Sequence, residues 1–412
     1  VMAATWNVDV AKGKEEEEIL HSLLKYGQLI IINEHTTRTK WLVSAGVLVN
    51  ASARTLFNVV TDTENYSKFM PMTEDAKAIE RGGPNIVELN LTLKIKVVKG
   101  LPAVPVNYSV LHYHRPPYRS DWTHYSGRFE RNDGFYRFIP VEGGRRTMAF
   151  YTVYSLPRLP IATRMFKKDP ALELVINMST AVMVTRCLKK RAEQLERREP
   201  FVPGRGMKGT IVETMARDPK AVKLLLSRGG LILVEEGPPM WAATMVSIDA
   251  PPAEVFDEVT RFEHYKCYLG QVVESRVLER SDATARAFFR LDLDYYVLRI
   301  PLRYELTYAL KPPRHILWRW SEGDVPSQRG SWTFLPLDGG KRTLAVYRQT
   351  EDLRTLPGMV GRGLRAAIMG QPSLEPAILG SQALLVARNT RDFLNLSPRE
   401  RKMKIDRCAG EK

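Results

Sequence analysis

Tryptophans spaced two apart are the groups in this sequence with the clearest chemistry to offer. Trp318 and Trp320 in "HILWRWSEG", and Trp332 with Phe334 in "GSWTFLPL", each share one face of an extended strand, because side chains alternate along a strand. Such rows of rings either cover the apolar body of a ligand or pack as core. Tyr347 extends the row in the second half of the chain, and Trp122, Tyr125, Phe138 and Tyr151 form the matching set in the first. Methionines add deformable apolar surface, at Met165, Met178 and Met183 and again at Met359 and Met369. His112 and His114 share a strand face but would need a third ligand to hold a metal, so a structural role is expected for both. Arg290 lies in "AFFRLDLDYYV" beside Asp292 and Asp294, the pattern of a solvent face. GxSxG, GxxxxGK[ST], HExxH and the Rossmann glycines are all missing. "GGKRT" resembles a phosphate loop only superficially, with Arg342 where Ser or Thr would stand. No cofactor, metal or catalytic residue is implied.

The elements that must position these residues occur twice. "FIPVEGGRRT" (138–147) returns as "FLPLDGGKRT" (334–343), and the match runs outward in both directions. Residues 50–70 pair with 249–269, placing Phe57 on Phe256 and Tyr66 on Tyr265. "RPP" at 115 falls on "KPP" at 311, Trp122 on Trp318, and Gly134 on Gly330. Between the copies lies "REPFVPGRGMKG", rich in Pro, Gly and charge and without either hydrophobic period, which is linker chemistry. The expected division is a first domain over 1–198 with an N-terminal helix-strand extension, a linker over 199–209, a second domain over 210–396, and a basic tail over 397–412.

Within each copy, a short helix and strand lead into an alternating strand ("KWLVSAGVLV", "WAATMVSI"). A helix opened by "APPAEVF" follows in the second copy, then five or six strands, then a long apolar-periodic helix over 160–197 or 357–395. In the second copy the strands are expected near 272–280, 283–294, 300–310, 315–321, 330–337 and 342–350. This order predicts an α+β fold with an antiparallel sheet set against one long helix. Gly361, Gly363, Gly370, Pro372, Pro376 and Gly380 should weaken or kink the second long helix, making it either a looser lid or merely a broken helix. Tyr66, Phe69 and Met70, matched by Tyr265, Tyr268 and Leu269, fall between the small helices and the next strand, where they either gate an entrance or lie buried beneath the long helix.

The formal charge of +15 is shared between the halves rather than gathered on one arm, which argues against nucleic acid as partner. Transient contact with an anionic membrane surface fits the same charge. Cys187, Cys267 and Cys408 are odd in number and far apart, so free thiols are expected. No apolar run approaches a membrane span. The sequence begins at Val1, so a removed leader, with a periplasmic or exported location, stands beside a cytoplasmic one.

The order of elements, with "APPAEVFDEVTRFEHY", "IPLRYELTYALKPPRHILWRWSEGD", "GSWTFLPLDGGKRT" and "LPGMVGRGL", resembles the START-related polyketide-cyclase/coenzyme-Q-binding superfamily (SRPBCC). The second copy matches over about 241–394 and the first more loosely over 41–196. The resemblance implies two tandem helix-grip domains, each enclosing an apolar cavity. Family members bind sterols, phospholipids, quinones, polyketide intermediates or plant hormones, and a minority catalyse cyclisation or dehydration. The function it implies here is binding, and transport, of a sterol, other lipid or quinone. The alternative is a polyketide-type aromatase/cyclase using pocket Tyr and Arg side chains as acid-base groups.

Overall fold

The computed structural model describes residues 9–34, 41–70, 72–95, 104–158, 171–204, 218–235, 237, 239–295, 298–370, 372 and 374–410. Two compact units divide between Ile211 and Val212.

The first unit holds β1 (Gly27–Glu34), β2 (Trp41–Val49), β3 (Thr73–Glu80), β4 (Ile86–Ile95), β5 (Val104–Arg115), β6 (Arg119–Gly127), β7 (Phe129–Val141) and β8 (Arg146–Pro157). They form an antiparallel array in the order β1-β2-β8-β7-β6-β5-β4-β3. The helix Lys14–Leu24 precedes β1, small helices Ala53–Thr61 and Tyr66–Phe69 connect β2 to β3, and the long helix Ala171–Leu195 follows β8. Ser52 caps the first small helix, its hydroxyl accepting from the Thr55 amide at 3.2 Å. The long helix packs on β2 and β8. Asn177 pins it there, its Oδ1 accepting from the Ser155 amide at 2.7 Å and its Nδ2 donating to the Ser155 carbonyl at 3.1 Å. Those bonds satisfy buried polar groups that would otherwise cost free energy.

The second unit repeats the plan with β9 (Gly230–Glu235), β10 (Trp241–Ile248), β11 (Val272–Arg280), β12 (Thr284–Tyr295), β13 (Leu298–Lys311), β14 (His315–Gly323), β15 (Arg329–Leu337) and β16 (Arg342–Thr350). Their order is β9-β10-β16-β15-β14-β13-β12-β11, again antiparallel. Small helices Pro252–Val259 and Tyr265–Tyr268 precede β11. The expected long helix is two helices, Gly358–Gly370 and Leu374–Leu394, divided around Pro372. Pro376 falls in the first turn of the second of these, where a missing amide proton costs little. Each unit is thus α+β, an antiparallel sheet against a C-terminal helix.

The repeated sequence features make the same bonds in both units. Gly143 and Gly144 turn with φ of +69° and +82°, and Gly339 and Gly340 with +68° and +88°, conformations that glycine adopts without steric cost. The threonine after each turn donates to the strand-to-helix corner, Thr147 to the Ala51 carbonyl at 2.8 Å and Thr343 to the Ala250 carbonyl at 2.7 Å. Gly134 and Gly330 stand in register with Trp122 and Trp318, and a Cβ at either position would collide with the indole and with the carbonyl of Thr152 or Arg348. Gly330→Ala is therefore expected to cost about 2–3 kcal/mol in urea unfolding, as overpacking of a tight core does. An unchanged unfolding midpoint would show that the ring is not held as described.

Two expectations need correction. Cys267 and Cys408 are joined in a disulfide, with Cα atoms 5.6 Å apart, so Cys187 is the one free thiol. The bond ties the small helix Tyr265–Tyr268 to residues expected to form a tail, of which Pro398–Gly410 are a helix. Sequence spacing carries no information on a pairing across 141 residues of folded chain.

Candidate functional site

Strand alternation brings the predicted rings together. In the first unit Trp122 stacks on Tyr151 with centroids 5.1 Å apart, and Tyr136 lies 5.0 Å from Trp122 and 5.1 Å from Tyr151. In the second, Trp318 stacks on Tyr347 at 5.2 Å and Trp332 meets Tyr347 edge-on at 4.7 Å. Trp332 also stacks on Phe334 at 5.8 Å. Phe138, Met178 and Phe334 are fully buried, and Trp122, Tyr151, Trp318, Trp332 and Tyr347 nearly so. These spacings are those of rings in mutual contact, so the rows serve as core as well as wall.

Other predicted positions fall elsewhere. Tyr125 is 58% exposed and Met369 is 74% exposed, so neither lines an interior. Tyr125 stands three residues from Trp122, an odd step that turns it to the opposite strand face. Met165 and the side chain of Met359 lie outside the described residues. The entrance residues are mostly interior: Tyr66, Met70, Tyr268 and Leu269 are buried, while Phe69 and Tyr265 are half-buried. Tyr66 and Tyr265 donate to the carbonyls of Val60 and Val259 in the preceding helix, the latter at 2.9 Å. Tyr268 stacks on Phe393 of the helix Leu374–Leu394 at 4.5 Å. Burial beneath the helix, not an exposed gate, is what these apolar groups achieve. Arg290 faces outward, 3.4 Å from Glu274.

Each unit also has an open space, which the stacked rings themselves do not line. In the second unit a cavity of about 700 Å³ opens where β15 begins and β16 ends, bordered by Trp320, Gln328, Glu351 and Arg354 among others. Of the predicted lining residues, only Trp320 borders this cavity or the smaller one of the first unit. Trp320 Nε1 and Gln328 Oε1 are buried without a hydrogen-bond partner. Glu351 is the group that sequence reading missed. Desolvation raises its carboxyl to about 7, against a smaller opposing effect of the hydrogen bond from Gln382. A chain of polar groups leads to it: Tyr347 donates to Gln349 Oε1 at 2.7 Å, and the Gln349 amide approaches Gln382 Oε1 at 3.5 Å. Residues 347, 349 and 351 share one strand parity, a signal that could have found the carboxyl.

The first unit has a cavity of about 310 Å³ between its small helices and β3 to β5, lined by Val60, Thr63, Val87, Leu89, His112 and His114. Both imidazoles turn Nδ1 to the hydroxyl of buried Ser120, at 3.1 Å from His112 and 2.9 Å from His114. Burial lowers both; for His112 the drop is to about 3, with His114 as the second cause. No group of three His, Cys, Asp or Glu side chains placed to hold a metal ion occurs among the described residues.

No curated protein matches the chain. Among solved structures, the Zhui aromatase/cyclase from Streptomyces sp. R1128 is 17% identical with a TM-score of 0.33, covering 38% of this chain and 95% of its own. The di-domain aromatase/cyclase StfQ from the steffimycin biosynthetic pathway is 14% identical with a TM-score of 0.26, covering 89% and 96%. The human StarD13 lipid transfer and protein localization domain is 12% identical with a TM-score of 0.30, covering 47% and 99%. The family described as polyketide cyclase / dehydrase and lipid transport matches residues 49–178 and 248–368, one stretch in each unit and more than half of the chain in all. The chain belongs to that family.

Proposed function

We propose that the chain binds a hydrophobic small molecule, a sterol, another lipid or a quinone, and carries it. The observation that supports this most is the pairing, in the second unit, of a cavity with buried polar atoms that have no hydrogen-bond partner, Trp320 Nε1 and Gln328 Oε1; in the first unit two imidazoles border a smaller cavity. In the first unit Val60, Ala78, Val87 and Leu89 supply apolar wall, worth about 25 cal/mol per Å² covered, whereas charged and polar side chains form most of the border in the second. Delivery to an anionic membrane surface belongs to the same reading, supported by the exposed helix Pro398–Gly410 with Arg399, Lys402, Lys404 and Arg407. No helix among the described residues is long and apolar enough to cross a membrane.

The test is titration of the whole chain with 1-anilinonaphthalene-8-sulfonate under native conditions, followed by displacement with cholesterol, a phosphatidylcholine and a short-chain ubiquinone. Saturable binding that one of the three displaces is the expected result. Probe fluorescence that never saturates, and that none of them displaces, would count against a carrier.

A second reading, an aromatase/cyclase, is favoured by Glu351, whose carboxyl titrates near neutral pH inside a cavity as a general acid or base must. Desolvation pushes the Tyr347 hydroxyl well above its ordinary range, so a phenolate base is disfavoured there. Loss of turnover in Glu351→Gln with ligand binding intact would select this reading.

A further inference from the structure

The duplication provides an internal control for the first unit's cavity. His112, His114 and Ser120 match Tyr308, Leu310 and Ile316, both by the aligned sequence and by strand register: His112 pairs with Trp122 and Tyr308 with Trp318, while His114 pairs with Ser120 and Leu310 with Ile316. Thr63, in the turn before the second small helix, matches Phe262. In the second unit Phe262 stacks on Tyr308 at 4.1 Å and fills this region with apolar side chains. In the first unit four replacements occur together, and about 310 Å³ is left open with two imidazoles on its wall. The fold does not need the polar set, because its sister builds the same corner without it. Burying two imidazoles and a hydroxyl costs free energy unless their polar atoms are satisfied.

Ser120 decides what the pair can bind. Its hydroxyl has one proton and two lone pairs, and in the arrangement that uses that proton within the trio it donates to one Nδ1 and accepts Nδ1–H from the other. With both rings neutral, the ring that accepts carries its proton on Nε2, and the ring that donates has a bare Nε2. Neither Nε2 has a partner among the described residues. The cavity wall therefore offers one donor and one acceptor side by side, and no positive charge. Glu80, exposed at the rim, further disfavours an anion.

We propose that this cavity takes the hydroxyl group of a neutral hydrophobic ligand, an alcohol or phenol, held between His112 Nε2 and His114 Nε2. The hydroxyl donates to the bare nitrogen and accepts from the protonated one, while Val60, Val87 and Leu89 contact the apolar body. This rests on the binding reading above and narrows it to a class of ligand for one unit.

The test is equilibrium dialysis of the whole chain against 1-naphthol and 1-methylnaphthalene, which differ by a hydroxyl in place of a methyl. The wild type should prefer 1-naphthol, by about tenfold if two neutral hydrogen bonds are gained. The triple variant His112→Tyr, His114→Leu, Ser120→Ile, which installs the second unit's residues, should lose that preference while still binding 1-methylnaphthalene. Ser120→Ala, a smaller change that uncouples the imidazoles, should lose part of it and guards against a triple variant that does not fold. Equal preference in wild type and variants would overturn the proposal. If the wild type binds both compounds alike, the hydroxyl site fails and the carrier reading stands. If it binds neither, and no lipid is displaced or retained, both fail together.

Discussion

Replacing His112 with tyrosine is expected to make the chain markedly more resistant to acid. Burial first, and the neighbouring His114 second, lower the His112 imidazole to about 3. In the unfolded chain the same group titrates near its ordinary value of about 6.5. Between those values the unfolded state binds the proton and the folded state does not, so stability is present above about pH 6.5 and is lost progressively as pH falls towards about 3. At about 1.4 kcal/mol per unit, the loss by about pH 4.5 is on the order of 3 kcal/mol. His112→Tyr removes the titrating group and installs the residue of the second unit. Its urea-unfolding free energy should therefore fall less than that of the wild type on going from about pH 7 to about pH 4.5, by roughly that amount. Parallel curves for the two proteins would mean that the imidazole is not held neutral.

Glu351 acts in the opposite direction. Desolvation raises its carboxyl to about 7, above an unfolded value of about 4.5, so the folded state keeps a proton that the unfolded state has released. Its contribution to stability is full below about pH 4.5 and is lost as pH rises through about 7. The shift corresponds to about 2–3 kcal/mol once access through the cavity is allowed for. Glu351→Gln keeps the shape and removes the charge. It should stabilise the second unit in alkali relative to the wild type, with the gain vanishing near about pH 5. A gain that does not change with pH would place the carboxyl in water. The two substitutions thus act on opposite flanks of the pH-stability curve, one in each unit.

Much of this was legible because both periodicities and their repetition are written in residue order. The six expected strands of the second unit lie within a few residues of β11 to β16, since alternation and Gly or Pro turns are local signals. That Trp332 and Phe334 share one strand face followed from parity alone, and their rings stack. What sequence reading could not supply was depth. A row of rings lines a void or fills one depending on what faces it, and Trp122 faces Tyr136 and Tyr151. Glu351 escaped notice because a carboxylate at a strand end reads as solvated until Gln382 of the C-terminal helix is seen beside it. Cys267 and Cys408 escaped because their approach depends on where two separate helices dock. From sequence, His112 and His114 are either metal ligands or structural side chains, the second being the expectation. Their relation to Ser120 requires the β5–β6 register, and the hollow they border requires comparison with Phe262 and Tyr308 across the repeat.

Native mass spectrometry of the whole chain, purified without detergent, tests most directly whether these units shelter an oily molecule. The expected spectrum shows the protein with one or two non-covalent hydrophobic adducts, released by organic solvent or replaced by added sterol, phospholipid or quinone. A spectrum of bare protein alone, both as purified and after incubation with each of those compounds, would contradict a role in binding them.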